Sequence, residues 1–102
     1  MGHLHYGLGE SFEFDDRLLT HLRTVILSKF ALQEALALTW HTETTQHSVW
    51  LHPSVPLHFE FDMPETPELN RAWLEKLRDL ANSAGGLRCV DEPVDASVVA
   101  EA

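Results

Sequence analysis

Apolar and polar positions alternate most regularly in the middle of the chain, between Ser48 and Asp62. In the second half of this segment the apolar positions are Leu57, Phe59 and Phe61, and the polar positions are His58, Glu60 and Asp62. Alternation with a period of two is typical of a strand with one buried and one solvated face. We therefore predict a strand over residues 57–62 whose solvated face carries an imidazole and two carboxylates.

The same alternation predicts strands at residues 3–6, 12–14, 36–41 and 48–51. The glycines at 7 and 9 favour a turn, so the first two of these strands form a hairpin. Pro53 and Pro56 each lack an amide hydrogen and fix φ, and they bracket a tight corner between the strands 48–51 and 57–62. A final short strand at 87–90 is a further candidate.

Two segments have helical spacing. The first begins at the cap Asp15-Asp16, and its apolar residues are Leu18, Leu22, Val25, Ile26 and Phe30. It predicts a helix over 16–30. The second has Thr66 as the expected N-cap and Pro67 at the first helical position, and Gly85-Gly86 ends it. Its apolar residues are Leu69, Trp73, Leu77 and Leu80. The order β-β-α-β-β-β-α predicts an α+β domain, an antiparallel sheet with both helices on one face.

Length and charge restrict the function further. A chain of 102 residues with 44% hydrophobic residues predicts one domain, over 1–92, followed by a flexible acidic tail at 93–102. The net charge is −9, and none of the seven basic residues is adjacent to another. This distribution disfavours nucleic acid and anionic membrane surfaces as partners, because both require clustered Lys and Arg.

Cysteine content and the N-terminus indicate a compartment. Cys89 is the only cysteine, so no internal disulfide can form, which suits a reducing cytoplasm. The start of the chain lacks the pattern of a signal peptide, and no apolar run approaches the roughly 20 residues of a membrane span. We expect a cytoplasmic protein without a membrane segment.

Several short segments resemble a known family. They are His5-Tyr6-Gly7, Phe14-Asp15-Asp16-Arg17, Trp50-Leu51-His52-Pro53-Ser54-Val55-Pro56-Leu57, Asn70-Arg71-Ala72-Trp73, Ala81-Asn82-Ser83 and Gly86-Leu87-Arg88. Together they resemble a family of short actinobacterial proteins of unknown function, over about residues 1–93. Members often carry the label "ATP-dependent DNA ligase", and Trp-Leu-His-Pro-Ser is the most specific segment.

The ligase label implies a lysine nucleophile, usually within Lys-x-Asp-Gly, together with carboxylates that hold a metal. Lys29 is followed by Phe-Ala-Leu and Lys76 by Leu-Arg-Asp, so neither lysine matches. No glycine-rich phosphate loop is present either. The sequence therefore does not support a self-contained ligase, and the label leaves only an accessory role beside such an enzyme.

The polar strand positions suggest a divalent metal site, the only cofactor that the sequence suggests. The candidate ligands are His3, His5, His58 and Glu60, with Asp62 beside them. Residues two apart on one strand lie about 6.6 Å apart, whereas cross-strand neighbours lie about 4.5–5.5 Å apart. A shared ion therefore requires the N-terminal strand to pair with 57–62. The alternative is a plain solvated face, and the corresponding enzyme hypothesis is metal or acid/base chemistry on that face.

The preferred hypothesis is a non-catalytic binding module that forms a homodimer through a sheet edge or an apolar patch around Trp50. If Val49 and Leu51 face inward, Trp50 and His52 are exposed; in the opposite arrangement Trp50 is buried. An exposed tryptophan is a candidate anchor for a protein partner. The residues assigned to this partner surface are Trp50, His52, Ser54 and Arg71, although Arg71 also suits an ion pair with Glu68 or Glu75. Tryptophans 40 and 73 are predicted to be core residues.

Overall fold

The computed structural model describes residues 1–94 and confirms the α+β class. Two helices and six strands follow one another along this part of the chain. Their bounds are β1 Gly2–Tyr6, β2 Glu10–Phe14, α1 Asp16–Ala31, β3 Leu36–His41, β4 Gln46–Leu51, β5 Leu57–Glu60, α2 Arg71–Ala81 and β6 Leu87–Arg88. Within residues 1–94, no helix has the length and apolarity needed to cross a membrane.

The strands divide between two three-stranded sheets, whereas the sequence predicted a single one. The first sheet has the order β2-β1-β5 and is antiparallel throughout. The second has the order β4-β3-β6, in which β6 runs parallel to β3. The chain passes from the second sheet to the first at the corner between Pro53 and Pro56. A proline cannot donate to a strand ladder, so the chain leaves the second sheet after β4 and enters the first as β5.

A single apolar core lies between the helices and the inner faces of both sheets. Its fully buried members from the helices are Leu19, Leu22, Val25, Ile26 and Leu77. Those from the strands are Leu4, Leu38, Leu51 and Leu87. Trp40 and Trp73 are only 8% and 5% exposed, so both are core residues as predicted. The alternation of the strands thus directs one face of each sheet into the same core.

The helix caps agree with the sequence at α1 and differ at α2. Asp15 accepts hydrogen bonds from the amides of Arg17 and Leu18, at 3.1 and 3.2 Å, as an N-cap carboxylate should. At α2 the prediction of Thr66 as N-cap was wrong. The helix begins at Arg71, and Asn70 is the N-cap, accepting from the amide of Trp73 at 3.2 Å.

Contacts with residues that are distant in the sequence explain why Asn70, and not Thr66, is the N-cap of α2. The side-chain amide of Asn70 donates to Glu92 and to the carbonyl of Pro93, both at 2.8 Å. Its backbone amide donates to the ring of His21, also at 2.8 Å. A local pattern of cap residues cannot reveal such tertiary partners. The flexible tail was predicted over residues 93–102, of which 95–102 lie outside the described residues.

Glu92 should make stability depend on pH below about pH 4.5. The hydrogen bonds from Arg17, and then from Asn70, lower the pKa of the Glu92 carboxyl from 4.5 to about 2. A lowered pKa in the folded state stabilises the fold above the unfolded pKa, and this stabilisation is lost as pH falls from about 4.5 to about 2. Because Arg17 and Glu92 are 39% and 32% exposed, solvent screening limits the effect to about 1 kcal/mol.

Urea denaturation of the wild type and of Glu92→Gln between about pH 6 and about pH 2.5, on either side of the ordinary glutamate pKa, measures this contribution. We expect the wild type to be the more stable protein at the upper end and the difference to shrink toward the lower end. A difference that stays constant across the range would show that the ionised carboxylate has no such role. Glu43→Gln, in the turn between β3 and β4, is the control for loss of an acidic residue.

Candidate functional site

Three histidines and two glutamates lie together on the solvated face of the first sheet. We call this set, His3, His5, His58, Glu13 and Glu60, the histidine face. The strand β1 pairs with β5, as the shared-ion hypothesis required. The register places His5 opposite His58, and it places His3 between Glu13 and Glu60.

Direct contacts join members of the histidine face. The Nε2 atom of His5 lies 2.8 Å from Oε1 of Glu60, and Nε2 of His3 lies 3.7 Å from Oε2 of Glu13. The ring centroids of His5 and His58 are 5.2 Å apart, and those of His3 and His5 are 6.0 Å apart. These side chains therefore form one continuous polar surface across three strands.

The carboxylates beside these histidines are held in their ionised form. The hydrogen bond from His5 is the main reason that the pKa of the Glu60 carboxyl lies below its usual value of 4.5. Asp62 is bonded elsewhere, because its Oδ2 atom lies 2.8 Å from the amino group of Met1, and this contact lowers its pKa as well. Asp62 therefore lies beside the histidine face and not within it.

Between residues 1 and 94, no group of three or more His, Cys, Asp or Glu side chains could hold a metal ion in the observed side-chain positions. The structure thus brings His3, His5, His58 and Glu60 onto one surface without closing them around an ion. Glu13, on β2, was missed by the sequence argument. Its signal was the alternation of Phe12, Glu13 and Phe14, which places Glu13 on the same face as His3.

The second candidate surface is β4 at the edge of the second sheet. Trp50 is 62% exposed, whereas Leu51 is fully buried and Val49 is half-buried. Of the two arrangements that the sequence allowed, the one with an exposed Trp50 is therefore present. Its indole borders a shallow groove of about 170 Å³ at the C-terminal end of α2. The other groove residues are mostly small: Ala35, Leu36, Ala37, Ala81, Ser83, Ala84 and Gly86.

The corner after β4 is fixed by Tyr6 and His52. The hydroxyl of Tyr6 donates to the carbonyl of Trp50 at 2.6 Å and accepts from the amide of His52 at 3.2 Å. Nδ1 of His52 accepts from the backbone amide of Ser54 at 3.0 Å, so this nitrogen serves the turn and does not meet the serine hydroxyl. Tyr6 thereby connects β1 of the first sheet to the end of β4 in the second.

Removing this hydroxyl with Tyr6→Phe should destabilise the protein by about 1–2 kcal/mol, because two hydrogen bonds are lost. One is donated to the carbonyl of Trp50, and the other is accepted from the amide of His52. Ser54→Ala is the matched control, because the Ser54 hydroxyl makes no hydrogen bond within residues 1–94. Thermal unfolding of both variants measures the difference. Equal melting temperatures for Tyr6→Phe and the wild type would contradict the role given to Tyr6.

Neither Arg71 nor Cys89 belongs to the histidine face or to β4. Arg71 is exposed at the start of α2, and no ion pair joins it to Glu68 or Glu75. The expected ion pair is therefore not formed among the described residues.

Burial raises the pKa of the Cys89 thiol to about 12, so this group is not an activated nucleophile.

Comparison with known proteins gives one match. A family model described as "Domain of unknown function (DUF7882)" matches residues 1–92, which include both candidate surfaces. No curated protein and no solved structure matches the chain. The matched range covers every helix and strand found in residues 1–94, and most of the chain. The chain belongs to the DUF7882 family.

Proposed function

We propose that this protein is a small binding module that associates with a second copy of itself through β4. The observation that supports this most strongly is that β4 is an unprotected sheet edge. It contains six residues, Gln46–Leu51, with no charged residue and no proline. Natural proteins usually block exposed edges with charges, prolines, bulges or short strands, because free edges pair with other chains.

The other edges of the two sheets carry such protection. In the first sheet, β2 contains Glu10 and Glu13, and β5 has only four residues, follows Pro56 and carries Glu60. In the second sheet, β6 has only two residues. β4 is therefore the edge with the least protection against pairing with another chain.

The backbone of β4 has hydrogen-bonding groups directed away from its own sheet. The carbonyl of Thr39 accepts from Cys89, so the backbone of Thr39 faces β6. Ser48 lies opposite Thr39, so in an antiparallel ladder its amide and carbonyl point toward the open edge. The same alternation applies to Gln46 and Trp50, and the Trp50 carbonyl is already bonded to the Tyr6 hydroxyl.

A second copy suits this edge because antiparallel pairing of β4 with itself has two-fold symmetry. With Ser48 opposite its counterpart, Trp50 of each copy lies opposite Gln46 of the other, on the outer face of the joined sheet. The contact strands are uncharged although the chain carries a net charge of −9, so they bring no like charges together. The exposed indole of Trp50 supplies apolar area to be buried.

Sedimentation velocity at about 100 μM protein tests this proposal, since mass action favours the dimer at high concentration. We expect a dimer for the wild type and a monomer for Trp50→Asp. Leu8→Asp is the matched control, because Leu8 is fully exposed in the β1–β2 turn and the substitution adds the same charge. A monomeric wild type, or equal dissociation of both variants, would contradict self-association through β4.

A second pair of variants tests the backbone contribution. Ser48→Pro removes the amide that points to the open edge, and Ser48→Ala keeps that amide. Both remove the hydrogen bond of 2.6 Å between the hydroxyls of Ser48 and Thr39. We expect Ser48→Pro to weaken the dimer much more than Ser48→Ala does. Similar effects from both would mean that main-chain pairing does not hold the copies together.

The proposal includes a cytoplasmic location, which the free Cys89 supports because a reducing compartment preserves free thiols. An accessory role beside a DNA ligase, which only the label carried by the similar proteins suggests, stays a prediction. Neither Lys29 nor Lys76 lies in Lys-x-Asp-Gly. Lys29 is moreover engaged with Glu34 at 2.7 Å and with Asn82 at 2.8 Å.

A further inference from the structure

The pairing of β1 with β5 gives the histidine face a geometry that the dimer proposal does not use. His5 and His58 lie directly opposite each other, and Glu60 lies one step further along β5 on the same face. Directly opposite residues of an antiparallel pair have Cβ atoms about 4.5–5.5 Å apart. Two imidazoles at that separation are able to direct one nitrogen each toward a shared point.

One observed distance agrees with the spacing of metal ligands. Bonds from a zinc ion to nitrogen and oxygen are about 2.0–2.2 Å long, so two neighbouring ligand atoms lie roughly 2.9–3.5 Å apart. The Nε2 atom of His5 and the Oε1 atom of Glu60 are 2.8 Å apart, with a hydrogen between them. The His5–Glu60 distance is therefore close to the distance between two neighbouring ligand atoms of a bound ion. Such an ion would replace the hydrogen that the two atoms share.

Closing the site requires side-chain movement, because the observed positions do not surround a common point. The His58 ring centroid lies 5.2 Å from that of His5, at an angle of 37°, and the His58 side chain is exposed. A shared ion requires this side chain to rotate until a ring nitrogen faces the His5–Glu60 pair. Exposed side chains change rotamer readily, and metal binding releases the proton of the ligand. Glu13, Glu60 and the net charge of −9 favour a dication at this face.

We propose that His5, His58 and Glu60 bind one divalent transition-metal ion across β1 and β5, with His3 next to the bound ion. Two imidazoles and one carboxylate favour Zn²⁺, Ni²⁺ or Cu²⁺ over Mg²⁺ and Ca²⁺, which prefer oxygen ligands alone. The ion would tie the edge strand β5 to the central strand β1. Metal binding would therefore raise the melting temperature of the folded protein.

Isothermal titration of the wild type with Zn²⁺ and with Ni²⁺ at pH 7.5, above the usual histidine pKa of about 6.5, tests the proposal. We expect one ion per chain with micromolar affinity, a higher melting temperature, and no binding of Mg²⁺. His5→Ala and His58→Ala should each weaken binding by more than about tenfold. His41→Ala, an exposed histidine on the second sheet, is the matched control and should bind like the wild type.

Three results would overturn this site: no one-to-one binding by the wild type, unchanged binding in His5→Ala or His58→Ala, or an equal loss in His41→Ala. Melting curves without metal show whether each variant is folded. Trp50→Asp, the variant that should break the dimer, separates the two proposals. It should bind the metal like the wild type, because Trp50 lies on the second sheet.

Discussion

Replacing His21 with alanine is expected to lower the free energy of unfolding by about 3–5 kcal/mol. The side chain is fully buried in α1, so its removal leaves a cavity. It also leaves the backbone amide of Asn70 without its acceptor. An unpaired buried donor costs about 1–3 kcal/mol by itself.

The two ring nitrogens of His21 have different partners, and these fix its protonation state. Nδ1 lies 2.7 Å from the carbonyl of Arg17, which can only accept, so Nδ1 carries the hydrogen. Nε2 accepts from the amide of Asn70, so it carries none. The ring also packs against Trp73, with centroids 4.6 Å apart. A neutral imidazole therefore connects α1 to the N-terminus of α2.

Urea denaturation of His21→Ala and of His41→Ala tests this role. His41 is exposed on β3, and its replacement should change stability by less than about 0.5 kcal/mol. In thermal unfolding, a second measurement, the melting temperature of His21→Ala should fall by more than about 10 °C. A loss of stability below about 1 kcal/mol would contradict the role assigned to the buried imidazole.

Gly86→Ala should cost about 2–4 kcal/mol, for two independent reasons. Gly86 has a φ of +78°, where an L side chain is strained by about 1–2 kcal/mol. A Cβ atom there would also lie 2.9 Å from the carbonyl oxygen of Ala37 and 3.0 Å from its Cβ. Close approach of β6 to β3 therefore requires a glycine at this position.

The neighbouring Gly85 provides the control. A Cβ atom on Gly85 would have no heavy atom within 4 Å, and its φ is not in the left-handed region. Gly85→Ala should therefore be neutral or stabilising by up to about 1 kcal/mol, through the unfolded chain. Equilibrium unfolding of both variants gives the comparison. Equal effects at the two positions would contradict the close approach of Gly86 to Ala37.

Local patterns were sufficient to predict most of the elements. The helical spacing and the Asp15 cap predicted α1 over 16–30, and the structure has it at Asp16–Ala31. Partition into two sheets was not predictable in the same way, because it depends on which distant strand pairs with β5. The start of α2 was misplaced for a related reason. Asn70 is selected by His21, Glu92 and Pro93, which are remote in the sequence.

Prediction of the candidate surfaces was also partial. Alternation alone placed His3, His5, His58 and Glu60 on solvated faces, but only the β1–β5 register brings them together. The burial of His21 had one sequence signal. It lies three residues after Leu18 and four before Val25, on the apolar side of α1. Its two hydrogen bonds and the bridge made by Tyr6 depend on tertiary contacts that no local pattern contains.

Amide hydrogen exchange of β4 at two protein concentrations is the most direct test of self-association through this strand. Between about 10 μM and about 1 mM, mass action should convert monomer to dimer. The amide of Val49, opposite Leu38 in the ladder with β3, is the internal reference and should be protected at both concentrations. We predict that the amides of Gln46 and Ser48 become protected only at the higher concentration. Unchanged, fast exchange of both amides at the higher concentration would contradict the account.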